Sequence, residues 1–169
     1  LDAETGLLNK DAFSDVANEA LKAGKAAGMN YNMTLIDMDG LDKLKDKLGE
    51  AGEDLLHDIS AHLQANSVNG ASAGRIDDGK FGLVHEPGLD VAALEKSIEE
   101  KTKEADPTGE GMEVGAATVD LEATMSEEDN AKALLYTINK FSESKGDFTI
   151  GELTEGYKTM MDETQEKII

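Results

Sequence analysis

Side chains that commonly perform covalent or acid–base catalysis are sparse in this sequence, and their spacing argues against several reaction classes. The absence of cysteine excludes thiolate catalysis, disulfides and cysteine–zinc sites. His57 and His62 are five residues apart, rather than the four that place two metal ligands on one helix face. We therefore expect these histidines and His85 to lie at the surface, and find no support for a Ser-His-Asp or paired-carboxylate hydrolase. Arg75 is the only arginine, which limits bidentate phosphate recognition.

The charge balance restricts the partners of this chain. Its net charge is −20, from 36 acidic and 16 basic residues. Such a surface repels nucleic acid and anionic membranes, so neither is expected as a partner. We interpret the acidity as a solubility or salt adaptation rather than as a surface for a cationic partner.

Length and composition indicate one folded domain with a cytoplasmic location. The 169 residues, of which 39% are hydrophobic, suit a single domain with a real core. There is no signal peptide and no apolar run near the length of a membrane span. Because the chain begins at Leu1, we expect a fragment of a longer protein, whose membrane segments, if any, lie elsewhere.

The elements that position the polar residues alternate between helical and strand periodicity, which predicts a βααββαβ-like α+β domain. In chain order they are a helix at Lys10–Ala26 capped by Asn9, a strand at Asn32–Met38, a helix at Glu50–Asn66, strands at Ser72–Ile76 and Phe81–His85, a helix capped by Asp90, a strand at Met112–Val119, a helix begun by the capping-box-like Ser126 and Asp129, and a short strand at Phe148–Ile150. An Asp-Gly pair between strand-like runs indicates a hairpin, so the turn is placed at Asp77–Lys80.

The C-terminal segment is predicted to be a helix of a different kind. From about Glu152 to Ile169 its apolar positions come close to a heptad pattern. One interpretation is a helix packed on its own domain, and the other is a connector toward a following domain. The connector is favoured because the pattern continues to the last residue. The predicted division is a domain at 1–151 and a connector at 152–169.

Short motifs in this chain stand in an order and spacing that resemble one bacterial family. The residues that carry the match are Asp2, Thr5, Gly6, Leu7, Asn9, Lys10 and Phe13, then Asp37, Asp39, Leu41, Asp46, Gly49 and Asp54, then the hairpin Arg75–Phe81, the strand Glu113–Ala117 and the helix Leu134–Lys140. The pattern resembles the GGDEF domain of diguanylate cyclases, over nearly the whole chain. The last residues also resemble the connector that often joins a GGDEF domain to an EAL phosphodiesterase domain.

The resemblance implies a fold and a reaction. The fold is α+β, with a central, mostly antiparallel sheet flanked by helices. Active members condense two GTP molecules across a two-fold dimer, with two divalent metals bridging the phosphates. The implied metal ligands are Asp37, the Met38 carbonyl and an acid at the third hairpin position, which is Gly79 here. The implied guanine contacts fall on Lys45 and Asp54.

Departures from the family pattern concentrate in the hairpin. Asp77 and Asp78 replace two glycines that approach the phosphates, and Gly79 supplies no metal ligand. One pair of like unit charges about 4 Å apart costs roughly 4 kcal/mol at an effective dielectric near 20. Lys80 reverses the charge of the fourth hairpin position. An ordinary Asp-Gly surface turn therefore fits this segment better than a working site.

Departures from the family pattern outside the hairpin also argue against a working nucleotide site. Lys45 cannot accept the hydrogen bond that the family's asparagine makes to guanine. The family's phosphate-binding lysine falls on Asn139, with Lys140 adjacent. Val68–Ala71 stands where the family's feedback motif R-x-x-D is expected, so binding of the product there is not expected.

The favoured hypothesis is a regulatory or scaffolding module of cyclic di-GMP signalling that has lost cyclase activity and is linked to an EAL or similar domain. The alternatives are a GTP-binding sensor that controls a linked phosphodiesterase and, less favoured, an active cyclase. A residual nucleotide cleft would comprise Asp37, Asp54, Asp77, Asp78, Gly79, Lys80 and Lys140, with Asp37 and Met38 as residual metal ligands. No cofactor is required, Mg²⁺ would accompany GTP, and a homodimer is the family's expected assembly.

Overall fold

A computed structural model describes residues 1–120 and 126–144, which form helices and strands in the predicted alternation. The helices are α1 at Lys10–Ala27, α2 at Leu41–Leu48, α3 at Glu50–Ala65, α4 at Val91–Ala105 and α5 at Glu127–Glu143. The strands are β1 at Asn32–Asp37, β2 at Ala73–Asp77, β3 at Lys80–His85 and β4 at Gly115–Asp120. The predicted α+β class is confirmed. The strand predicted at Phe148–Ile150 and the helix predicted at Glu152–Ile169 lie outside the described residues.

The four described strands form one antiparallel sheet in the order β2-β3-β1-β4. In this order β1 is central, and its last residue, Asp37, pairs with Lys80 on one side and with Gly115 on the other. The outer edge of β2 is covered by Leu8, which makes a parallel bridge to Gly74. The sheet thus places the end of β1 directly beside the β2–β3 hairpin.

Helices cover both faces of the sheet because successive strand residues point to opposite sides. On one face, α1 and α5 bury a cluster that includes Phe13, Leu35 and Ile138. On the other face, α2, α3 and α4 bury a cluster that includes Leu56 and Phe81. The inner residues of β1 are therefore apolar or hydrogen-bonded on both sides, and its polar end at Asp37 is left at the rim of the sheet.

The predicted helix starts are confirmed by their caps. The Asn9 side chain accepts a hydrogen bond from the Ala12 amide, and Asp90 accepts one from Ala93. Ser126 accepts from the Asp129 amide, as a capping box requires. These bonds satisfy amides that lack a partner inside the helix, which is why the sequence located the starts well.

Two elements differ from the sequence prediction. The sequence prediction omitted α2, because Leu41–Leu48 is short and its helical leucine spacing extends over only two turns. The strand predicted from Met112 begins only at Gly115. The Met112 amide donates to the Thr102 hydroxyl and the Val114 amide to Glu99, so side chains of α4 replace a strand partner there.

The prediction that His85 lies at the surface was wrong. Its side chain is buried, and its Nε2 lies 2.6 Å from the Thr34 hydroxyl oxygen while Nδ1 lies 2.8 Å from the Glu86 carbonyl. Burial lowers the pKa of His85, which keeps the ring neutral at pH 7. The strand alternation places His85 on the same face as buried Leu83, and this polar network lets a histidine occupy a core position. His57 is exposed as predicted, and His62 is half-buried.

The helices of the described residues include none that is long and apolar enough to cross a lipid bilayer.

A glycine in α3 allows α2 and α3 to pack at close range. A Cβ on Gly52 would lie 2.2 Å from the Lys45 carbonyl oxygen and 2.7 Å from its Cα. Replacing glycine by alanine inside a helix ordinarily stabilises by about 1 kcal/mol. Here the two atoms that a Cβ would collide with belong to the Lys45 backbone, which cannot easily move, so alanine is expected to destabilise the fold instead.

We expect Gly52→Ala to lower the free energy of unfolding by about 2 kcal/mol or more, measured by urea denaturation. Gly88→Ala is the matched control, because Gly88 has open space around it and should change stability by less than about 0.5 kcal/mol. Equal stability of the two variants would contradict this close packing.

Candidate nucleotide site

The end of β1 and the hairpin turn form a compact site of backbone contacts. The Met38 amide donates to the Gly79 carbonyl over 2.7 Å, and the Met38 carbonyl accepts from the Leu41 amide over 3.0 Å. Asp37 stands opposite Lys80 in the sheet register. The structure thus brings together Asp37, Met38, Gly79 and Lys80, with Asp77 and Asp78 completing the turn.

Gly79 has a backbone that suits glycine and no other residue well. Its φ is +70°, in the left-handed region, and a Cβ at this position would lie 2.7 Å from the Met38 carbonyl oxygen. An acidic side chain there would meet both the strain of that conformation and a backbone collision. The turn is therefore built around the absence of a side chain at the position where the resemblance implies a metal ligand.

Lys80 is directed into the protein rather than into the cleft. Its side chain is buried, and its ammonium donates to the Ser144 carbonyl and, over 3.3 Å, to the Ser142 carbonyl. The same group lies 5.9 Å from the centre of the Phe141 ring. These carbonyls belong to the last turn and C-cap of α5, where they lack helical partners and carry the negative end of the helix dipole. Lys80 therefore caps α5.

Asp37 is a half-buried carboxylate in an unfavourable electrostatic setting. Burial raises the pKa of Asp37, the charge of Lys80 lowers it, and Asp39 raises it, with a net upward shift. A shifted carboxylate at the rim of a cleft is typical of functional sites. Within residues 1–120 and 126–144, Lys80 is the one cation that offsets the charge of Asp37, and that ammonium is bonded to α5.

The metal implied by the fold family does not fit these donors. Mg²⁺ requires near-octahedral coordination by oxygen, whereas Asp37 is joined here only by a Met38 carbonyl already bonded to Leu41. Gly79 offers no third ligand. Across residues 1–120 and 126–144, no group of three or more histidine, aspartate or glutamate side chains is arranged to hold a metal ion.

Arg75, on the first strand of the hairpin, is the centre of an acidic cluster. Its guanidinium is largely buried and lies 3.0–3.6 Å from carboxylate oxygens on separate parts of the chain. Those carboxylates belong to Asp2, Glu4, Asp42 and Asp78. The only arginine is thus surrounded by acids of its own chain through its two terminal nitrogens, while its buried Nε has no hydrogen-bond partner among the described residues. Any phosphate would have to displace those acids.

Lys45 joins this cluster through Glu4. Its ammonium lies 3.2 Å from a Glu4 carboxylate oxygen, so the position implied to contact guanine bonds to the N-terminal segment instead. The hydrogen bond from Lys45, and then the charge of Arg75, lower the pKa of Glu4 despite partial burial. The Glu4 carbonyl also lies 3.2 Å from His57 Nε2. Glu4 therefore spans α2 and α3 at the place where a guanine base is expected in the family.

The remaining predicted residues do not join the hairpin. Asp54 is exposed on α3, one residue past the first helical turn, and lines a cleft of about 280 Å³ between α3 and α4 with Lys101. Lys140 is exposed on α5, with its ammonium 5.7 Å from the centre of the Tyr136 ring. These two residues therefore lie on helices that cover opposite faces of the sheet.

Sequence reasoning missed the partners of Arg75. The sequence pattern assigns Asp2, Glu4 and Asp42 no role at Arg75. Two of these contacts join residues far apart in the chain: Arg75 lies 71 positions from Glu4 and 73 positions from Asp2. The available signal was one arginine in a strongly acidic chain, which must attract carboxylates from wherever the fold supplies them.

Comparison with known families decides what this geometry belongs to. The sequence matches the family model described as "Diguanylate cyclase, GGDEF domain" over residues 1–143. The chain belongs to the GGDEF family. No curated protein matches its sequence. The family match confirms the resemblance predicted from the motifs. GGDEF domains are the domain type of cyclic di-GMP signalling.

Solved structures agree on the GGDEF fold. A microbial GGDEF domain studied for its interaction with cyclic di-GMP has 20% identity and a TM-score of 0.60, covering 85% of this chain and 92% of that chain. A sensory box/GGDEF family protein from Caulobacter crescentus has 20% identity and a TM-score of 0.55, covering 98% and 97%. The S helix-GGDEF-EAL region of Vibrio cholerae LapD, bound to cyclic di-GMP, has 18% identity and a TM-score of 0.53, covering 81% of this chain and 32% of that chain.

The electrostatic setting of Asp37 yields a pH-dependent prediction. Because its folded-state pKa lies above the unfolded-state value, the ionised carboxylate destabilises the fold at neutral pH. This cost disappears as the pH falls below the unfolded-state pKa of about 4. We expect Asp37→Asn to raise the melting temperature by roughly 1–3 °C at pH 7 and by nothing near pH 3.

The control for this prediction is Asp58→Asn, on the exposed surface of α3. It removes one charge from the same acidic protein without relieving burial, and so measures the general effect of net charge. Equal gains in melting temperature for the two variants at pH 7 would show that Asp37 carries no special cost.

Proposed function

We propose that this chain is a degenerate GGDEF domain without cyclase activity, which acts as a regulatory or scaffolding module in cyclic di-GMP signalling. The observation that carries the proposal is the conformation of Gly79. The position that would supply a metal ligand has a left-handed backbone and lies against the Met38 carbonyl. Restoring an acid would therefore require a different turn, and not only a different side chain.

The charges around the cleft support the loss of nucleotide chemistry. The cluster contains four carboxylates, of Asp2, Glu4, Asp42 and Asp78, against two cations, Arg75 and Lys45, which gives a local charge of −2. A triphosphate brings several more negative charges to this surface. Lys80, the only basic residue of the turn, is bonded to α5. Phosphate binding there requires electrostatic help that the described residues do not supply.

A second candidate is a GTP-binding sensor that controls a linked phosphodiesterase. Asp37 favours it, because a half-buried carboxylate with a raised pKa at a cleft rim costs stability, and such costs are often kept for binding. Mg²⁺ would then accompany GTP, with Asp37 as the residue closest to the family's metal position. An active cyclase is the least supported alternative.

The setting of the domain is also part of the proposal. LapD carries a GGDEF and an EAL domain in one chain, and that arrangement supports an EAL-type neighbour for this domain. We propose a cytoplasmic location and, as in the active family members, association into a homodimer. A regulatory or scaffolding role requires no cofactor.

The test uses the full 169-residue chain with GTP and excess Mg²⁺, and chromatography to quantify cyclic di-GMP. We expect no product above the level of a no-protein control, while an active GGDEF domain in the same buffer forms product. Calorimetric titration of GTP, repeated with Asp37→Ala, separates the two candidates.

Absence of binding at millimolar GTP would support the regulatory module. Micromolar binding that weakens in Asp37→Ala would overturn it in favour of the sensor. Formation of cyclic di-GMP would overturn both.

A further inference from the structure

The signature hairpin contacts the two ends of the described domain. On one side Arg75 holds Asp2 and Glu4 of the N-terminal segment, and on the other side Lys80 holds the carbonyls that end α5. We propose that the hairpin couples the N-terminal segment, Asp2–Leu8, to the C-terminal end of α5, through Arg75 and Lys80. This inference deepens the proposed regulatory role and rests on that proposed function for its purpose.

The first contact joins the N-terminal segment to the hairpin. Leu8 bonds to β2 through the Ala73 carbonyl, at 3.2 Å, and the Arg75 amide, at 2.8 Å. The Arg75 side chain then binds Glu4 and Asp2 and also Asp78 in the turn, at 3.3 Å. A shift of the N-terminal segment therefore changes the position of the guanidinium that holds the turn.

The second contact joins the hairpin to α5. Arg75 pairs with Phe81 in the sheet, and Phe81 is the neighbour of Lys80. The Lys80 ammonium is almost completely buried and donates to two carbonyls at the end of α5. A buried charge that loses its acceptors pays a desolvation penalty, so Lys80 either keeps α5's last turn in place or must leave this site. Coupling between sites requires an element with two arrangements, and the proposal assigns that role to this contact.

A second route from the N-terminal segment to α5 exists and must be separated from the first. Helix α1 begins at Lys10, directly after this segment, and packs against α5. Coupling through α1 does not depend on Lys80, whereas coupling through the hairpin does. The same perturbation measured with and without Lys80 therefore distinguishes the two.

The first measurement is hydrogen exchange of the full chain, read by mass spectrometry at residues 138–144. Lys80→Met keeps the aliphatic stem and removes the ammonium, and we expect exchange at the end of α5 to become about five- to thirtyfold faster. Ile98→Val, a buried substitution in α4, controls for general destabilisation and should not act selectively on α5. Lys80→Gln, which retains one donor, should give an intermediate effect and replaces the methionine variant if that protein does not fold. Unchanged exchange at 138–144 would overturn the capping role.

The second measurement tests transmission from the other end. Glu4→Gln removes the charge that joins Arg75 and Lys45, and we expect exchange at residues 138–144 to become about two- to fivefold faster. Glu110→Gln, at an exposed carboxylate, is the matched control and should have no effect there.

In the Lys80→Met background the Glu4→Gln effect should vanish. Its persistence would assign the coupling to α1 and overturn the proposal, as would its absence in the wild-type background. Production of cyclic di-GMP would overturn the proposed function but would leave these exchange rates as they are, so the two failures are distinguishable.

Discussion

The arrangement of the cleft depends on one buried guanidinium. In a chain with a net charge of −20, Arg75 is the only arginine, and carboxylates from the N-terminal segment, α2 and the hairpin turn surround it. Partial burial strengthens these attractions relative to those at an open surface, because water screens them less. That guanidinium is the centre of an internal network. Under the proposed function, the same network that holds these segments together also keeps a phosphate away.

The hairpin makes contacts that hold separate parts of the structure together. Its third position is a glycine in a left-handed conformation against the Met38 carbonyl, and its fourth is a lysine that caps α5. The glycine allows a tight turn, and the lysine supplies a donor to helix carbonyls that lack a partner inside the helix. Asp37 is the exception, since its carboxylate is partly buried, has no hydrogen-bond partner in the described part of the chain, and has a raised pKa. It is the residue of the cleft that folding alone explains least.

The comparisons establish the family of this chain but not its function. The family model covers residues 1–143, and the similar solved structures have sequence identities of 18–20%, which is enough to recognise a fold and too little to carry over a reaction. One fold accepts many functions because function depends on a few side chains and their setting. In this chain those side chains are bonded to one another, and that is the basis for assigning a regulatory rather than a catalytic role.

The sequence by itself determined the order of the elements, the Asp-Gly turn and the helix caps at Asn9, Asp90 and Ser126. These features are local, because capping bonds and turn conformations involve residues that are neighbours in the chain. The sequence prediction omitted α2, although Leu41, Leu44 and Leu48 have helical i, i+3, i+7 spacing, because eight residues give only two turns of that pattern. Only the tertiary structure decided the direction of Lys80, the burial of His85 and the partners of Arg75. Lys80, His85 and Arg75 each have a partner more than 50 positions away in the chain. A sequence pattern gives the types of such residues but not which of them come into contact.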